Sequence, residues 1–338
     1  MSFFLFFLFS VIISSEVIGL LRCASFFAGV GGIDLGFHQS KFFSTVYANE
    51  INESSVMTYE ANFPVRVDCR DIALVQPKDI PDFDVMLAGF PCQAFSIAGL
   101  REGFQDSKGR GALFFELIRI LKDKNPSVVF LENVKNLAGH DDGKTLSVIL
   151  RELEGLGYFV KYRVLNATEY GDIPQNRERI YIVGFKDEQV CDRFVFPDPI
   201  PLRKRVDEVI DFETKMPEKY YYRQGKYKGD IFEKLTEAAD DDRAVYQWRR
   251  KYVRKNKSGV IPTLTANQGE GGHNVCIVKT VHGFRKMIPR ECFNAQGFPK
   301  TFKLPPLNDG VLYKQAGNSV CVSVVFRIAK EIQRALLG

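Results

Sequence analysis

Apolar residues in this chain gather into short continuous runs, and between the runs they recur at helical spacing. That alternation is what buried strands and the helices packed over them leave in a sequence. Strands are predicted over 20–27, 42–48, 83–88, 127–131, 158–165 and 180–185, with a short one at 65–67. A helix is expected after residue 32, others over 54–62 and 146–156, and a further one over 112–122, where Leu113, Phe114, Leu117, Ile118 and Leu121 fall on one face. Strands alternating with helices predict an α/β fold with a doubly wound, mostly parallel sheet. The pattern changes after Phe185. Pro197, Pro199 and Pro201, next to a basic cluster, mark a domain boundary, and 220–257 shows little apolar periodicity. A strand is expected at 275–279, and 320–337 reads as a closing helix with Ser319 as its N-cap.

The first fifteen residues, MSFFLFFLFSVIISS, break the pattern as an almost unbroken apolar run. The run lacks a basic leader and a clean small-residue cleavage site, and it is shorter than the roughly 20 apolar residues of a spanning helix. Residues 1–18 are therefore expected to be a dispensable extension, with the fold beginning near Gly19. At 338 residues, 45% apolar and 26% charged, the chain suits a globular protein of two domains. A net charge of +5 permits a polyanionic partner without requiring one. The seven cysteines (23, 69, 92, 191, 276, 292 and 321) are scattered and never spaced as CxxC. They indicate neither a disulfide framework nor a metal cluster, and point to a reducing, cytoplasmic compartment. Burial is the default reading for all but Cys92, and the histidines show no metal spacing.

In a doubly wound sheet, ligands bind beyond the carboxyl ends of the strands, so the residues at those ends carry the candidate chemistry. The first strand runs into Ala28-Gly29-Val30-Gly31-Gly32, a turn whose backbone can approach a ligand closely; by itself it is equally a tight packing turn. Glu50 ends the second strand, eighteen residues after Gly32, where a ribose diol would be gripped. Asp71 follows the third, as an adenine-amino acceptor or as a helix cap. The fourth delivers Gly89-Phe90-Pro91-Cys92, in which Pro91 stiffens the turn. Cys92 reads as a nucleophile, against the alternative of a small buried apolar residue. The polar, glycine-rich stretch 97–111 has the length and composition of a lid. Glu132 closes the fifth strand, and Arg179 lies in Gln175-Asn176-Arg177-Glu178-Arg179. Farther on, seven basic residues between Arg243 and Lys257 mingle with Tyr246, Trp248 and Tyr252 without an acid. That mixture suits phosphate binding and base contact, or else a solvated surface helix.

Taken in order, FAGVGG, GFPCQAFS, ENV, QNRERIYIVGF, PTLTA and QAGNSV resemble the C5-cytosine DNA methyltransferases of bacterial restriction-modification systems. The resemblance spans the chain from about residue 20 to its end. It implies a Rossmann-like catalytic domain over 19–197 that binds S-adenosyl-L-methionine (AdoMet), a target-recognition domain over 198–312, and a C-terminal helix over 313–338 that returns to the first domain. Phe27, Gly29, Gly31, Glu50, Asp71 and Asn318 would line the AdoMet pocket. Cys92 would be the nucleophile, with Glu132 and Arg179 holding the target cytosine. The implied partners are double-stranded DNA and a cognate restriction endonuclease acting on the same site, with the methyltransferase itself a monomer and no membrane involved. Two positions depart from the pattern: Ser25 stands where many members carry an acid, and Ile261 where an arginine is frequent.

The chemistry agrees with the resemblance. Cytosine C5 is a poor nucleophile until a thiolate adds at C6, which calls for cysteine rather than serine. A buried carboxylic acid at N3 eases that addition, and the base must leave the duplex to reach the thiol. Rival readings are a tRNA cytosine-5 methyltransferase of the same family, for which Cys292-Phe293-Asn294 is a poor match to the expected Cys-Phe-Thr, an NAD-dependent oxidoreductase on the same fold, and a catalytically dead relative.

Overall fold

The computed structural model describes residues 19–91, 112–226, 229–238, 243–249, 251–256, 258–268 and 275–338. Cys92, the 97–111 stretch and the apolar run 1–18 lie outside the described residues.

In chain order the first part comprises β1 (Leu21–Phe26), α1 (Gly32–Gln39), β2 (Phe43–Asn49), α2 (Glu53–Glu60), β3 (Val67–Asp68), β4 (Val85–Ala88), α3 (Ala112–Lys124) and β5 (Val128–Val134). There follow α4 (Lys144–Gly155), β6 (Phe159–Asn166), α5 (Ala167–Tyr170), β7 (Glu178–Phe185) and α6 (Glu188–Arg193). Among the described residues the strands form one seven-stranded sheet in the order β3-β2-β1-β4-β5-β7-β6. β1 pairs in parallel with both β2 and β4, and β4 with β5, while β7 runs antiparallel between β5 and β6. The order reverses between β1 and β4, so the two strand ends that flank this switch point are those of the glycine turn and of Gly89.

Strand periodicity explains the burial. Val85, Leu87, Val128 and Phe130 enter one apolar cluster, and Met86, Ala88, Val129 and Leu131 enter another on the opposite face. Both faces are covered, which is why these strands read as continuous apolar runs.

The second part comprises α7 (Ile231–Ala238), β8 (Val245–Trp248), β9 (Val253–Lys255), β10 (Cys276–Thr280), β11 (Gly283–Lys286), α8 (Pro289–Asn294), α9 (Asp309–Asn318) and α10 (Val322–Leu337). Its strands make an antiparallel sheet in the order β11-β10-β8-β9. Arg285 and Glu291 form a fully buried ion pair with two bonds of 2.8 and 2.7 Å, and Glu291 also accepts the Asp211 and Ile288 amides. A buried pair tolerates desolvation only when its acceptors are satisfied in this way.

Three expectations change. The alternative of a surface helix for the basic stretch does not hold: it folds as the β8–β9 hairpin, with the Arg249 amide bonded to the Tyr252 carbonyl at its tip at 2.8 Å. The QAGN residues belong to α9, so Ser319 closes that helix instead of opening the next, whose N-cap is Cys321. Cys69 is exposed, because it follows the two-residue edge strand β3 in a polar loop.

Candidate active site

β1 ends in a turn that sequence alone left ambiguous. Phe27, Gly29 and Gly31 all take positive φ (52°, 56° and 82°), a conformation that costs a phenylalanine strain and a glycine little. A Cβ on Gly31 would sit 2.3 Å from the Phe63 ring, and one on Gly32 would sit 2.5 Å from the Ser319 hydroxyl. At Gly29 nothing lies within 4 Å of the same position, so the turn is open on that side. Glu50 faces it: one carboxylate oxygen accepts the Gly29 amide at 2.9 Å and the other accepts the Asn52 amide at 2.8 Å. Asp71 is exposed after β3, where it also caps a short 3-10 turn by accepting the Ala73 amide at 3.0 Å. Asn318 is exposed at the end of α9, between Gly317 and the Ser319 that touches the turn. An open glycine turn with acidic side chains at the two neighbouring strand ends fits AdoMet, whose ribose and adenine present donors.

One residue of this region went unnoticed in the sequence. Asp34, fully buried on α1, accepts hydroxyl hydrogen bonds from Ser25 (2.8 Å), Thr45 (2.8 Å) and Tyr59 (2.9 Å). Ser25 thus departs from the family pattern while a carboxylate nine residues later occupies the space beside it. The signal was available in the sequence as an acid on the apolar face of α1.

At the other side of the switch point, Glu132 lies within β5 rather than just beyond it, because β7 continues to pair with β5 as far as Val134 opposite Arg179. Its carboxylate meets the Arg179 Nε at 3.1 Å and lies 3.4 Å from where a Gly89 side chain would begin. Burial pushes the Glu132 carboxyl above its ordinary range, opposed by Arg179 and then Arg177. Asn133 donates to the Phe90 carbonyl at 2.9 Å, and the Phe90 ring packs 5.6 Å from that of Phe114. The backbone is therefore anchored beside Glu132 two residues before Cys92. Arg179 also donates to the Glu178 carbonyl at 2.8 Å, while the Glu178 carboxylate pairs with Lys135 instead.

The segment before β7 joins the two parts of the chain. Asn176 and Ile261 exchange backbone bonds with their neighbours across the gap, at 2.8 and 2.7 Å. Gln175, fully buried, accepts the Leu264 amide and donates to the Ala295 carbonyl. Ile261, in the frequent arginine position, is buried at this seam.

A seven-stranded sheet with one reversed strand, a glycine turn flanked by acids and a buried acid beside Gly89 at the neighbouring strand end fit the class of AdoMet-dependent methyltransferases. Residues 21–334 match the family model of the C-5 cytosine-specific DNA methylases, and the chain belongs to that family. It is 54% identical over 318 residues to the Type II methyltransferase M.Bsp6I of Bacillus sp. (strain RFL6), covering 94% of this chain and all of that one. It is 41% identical to the Type II methyltransferase M.SsoII of Shigella sonnei, over 93% of this chain and 80% of that one. Among solved structures, a mutant DNMT2 of Spodoptera frugiperda superimposes with a TM-score of 0.70 at 20% identity, over 93% of this chain and 99% of that one, a likeness of fold. The protein is thus a DNA cytosine-5 methyltransferase that uses AdoMet as methyl donor. Among the described residues no helix is long and apolar enough to cross a membrane.

Proposed function

We propose that this enzyme methylates an extruded cytosine within a specific duplex sequence, with Cys92 as nucleophile, Glu132 as the acid at N3 and Arg179 as the ligand of O2. The observation that carries the reading is the buried Glu132–Arg179 pair, set against Gly89 and tied through Asn133 to the backbone that leads into Cys92. Cys92 adds to C6 as the thiolate, and the electron density pushed into the ring is met by the Glu132 proton at N3. Arg179 holds the base by its carbonyl oxygen. AdoMet, when bound, supplies the methyl group that C5 takes up. Loss of the C5 proton and expulsion of the Cys92 sulfur then restore the aromatic ring. Phe27, Gly29, Gly31, Glu50, Asp71 and Asn318 are the residues that would hold the cofactor.

In this reading residues 19–197 are catalytic, 198–312 recognise the target and 313–338 complete the catalytic part. The enzyme acts as a monomer in the cytoplasm and protects DNA from an endonuclease cutting the same site. The Type II names of the most similar relatives support that pairing. Duplex DNA incubated with methyl-labelled AdoMet should acquire label at cytosine C5, and Cys92→Ser should abolish it. Label confined to RNA, or label persisting in the variant, would contradict the assignment.

A further inference from the structure

Arg177 is among the largest fully buried side chains of the protein, yet neither the nucleophile nor the cofactor pocket as assigned uses it. Its backbone is fixed at the β6–α5 junction: its amide donates to the Asn166 side chain at 3.1 Å, and its carbonyl accepts the Ala167 amide at 2.9 Å. The guanidinium reaches away to three carbonyls. Nη1 donates to Leu264 at 2.9 Å, and Nη2 donates to Gly317 at 3.0 Å and to Ser319. Those last two residues flank Asn318 at the end of α9, where helix carbonyls lack partners of their own and a cation is favoured. Among the described residues the buried Nε has no partner, and the guanidinium's hydrogen bonds go to these three carbonyls.

Arg177 immediately precedes β7 and stands two residues before Arg179, and both act on the charge of Glu132. Burial pushes the Arg177 guanidinium down to about 9, which leaves it protonated at neutral pH. A planar fork with fixed donor directions suits three separated carbonyls, and the single nitrogen of a lysine cannot span them. Gly317 tightens the arrangement, since a Cβ there would lie 2.3 Å from the Thr265 backbone.

We propose that Arg177 is a positioning residue that sets Asn318 in the AdoMet pocket and ties it to the cytosine-holding Arg179, so that one guanidinium couples the binding of cofactor and target base. This rests on the assignment of Asn318 to the pocket and of Arg179 to the base. The test is a double-mutant cycle on AdoMet affinity, measured by titration calorimetry with the full chain well below its melting temperature. Arg177→Lys and Asn318→Ala should each weaken binding about tenfold, the scale of a lost charged hydrogen bond. Because the first acts through the second, the double variant should also be about tenfold weaker. A double variant about a hundredfold weaker would mean independent effects and would overturn the proposal while leaving the pocket assignment intact. An Asn318→Ala variant with unchanged affinity would remove the pocket assignment and the proposal together. Should Arg177→Lys fail to fold, the cycle between Asn318→Ala and Arg179→Lys decides, read as duplex affinity in the presence of AdoMet and with Cys92→Ser blocking turnover. Coupling of several-fold is expected between these two residues, and strict additivity would overturn the link.

Discussion

Glu132 shows what burial does to one residue of the proposed reaction. With its carboxyl raised above the ordinary carboxylate range, the neutral form that would donate to cytosine N3 in that reading persists to higher pH than in water. Single-turnover methylation should therefore fall as pH rises through that raised value, and Glu132→Gln, which cannot release a proton, should lose the pH dependence along with most of the rate. Stability follows the same sign. The folded carboxyl holds its proton more tightly than the unfolded one, so its burial costs stability as pH climbs from the ordinary carboxylate value through the folded one. Melting curves should show Glu132→Gln gaining on the wild type as pH climbs above the ordinary carboxylate value; a constant difference would mean that Glu132 is not raised. The sequence marked Glu132, Glu50 and Cys92 because each follows an apolar run. It gave no role to Arg177 or Asp34, whose meaning lies in partners such as Gly317, distant in the chain from Arg177, and in hydroxyls from three separate elements around Asp34.

Among the elements, the β8–β9 hairpin was the least legible. Its first strand alternates between two apolar clusters, Val245 joining one and Tyr246 the other. Such a strand shows no simple in-out pattern, and the following run of charges hides the turn. The hairpin tip presents Arg249, Lys251 and an exposed Tyr252, with the Lys251 carbonyl held by Lys234 at 2.8 Å. If the tip touches phosphates, Lys251→Ala should weaken duplex binding alike for target and unrelated sequences. It should also reduce the slope of log affinity against log salt by about one. Filter binding across a salt series checks both, and an unchanged slope would place the tip off the backbone. The inner strands of the large sheet, such as β4 and β5, were legible for the opposite reason: runs buried on both faces announce themselves. Only their limits moved, as when pairing with β7 carried β5 through Glu132 to Val134.

At the scale of the whole molecule the two sheets share one apolar cluster. Val30, Tyr59 and Phe63 from the first part pack with Phe212, Leu264, Cys276 and Phe293 from the second. The backbone bonds between the segments around Asn176 and Ile261 run across the same seam. Unfolding should accordingly be a single event. The lone tryptophan, Trp248, reports on the second sheet, and its fluorescence should melt together with far-ultraviolet circular dichroism. Phe293→Ala, which opens a cavity worth about 3–5 kcal/mol, should shift both curves by the same amount; separate transitions would show the lobes to be independent. The proline-rich boundary expected from the sequence reveals nothing of this seam, because the residues that fill it come from six or more places in the chain. A last consequence concerns synthesis. α10 lies against α1 so closely that a Cβ on Gly36 would meet Val325 at 2.6 Å, and α1 is the helix that springs from the glycine turn. Ribosomes release α10 only after both sheets, so a nascent or prematurely terminated chain lacks the wall behind its glycine turn, where the proposed site would hold the methyl donor. Such a chain would leave the cell's genome unmarked, however well its earlier segments had folded.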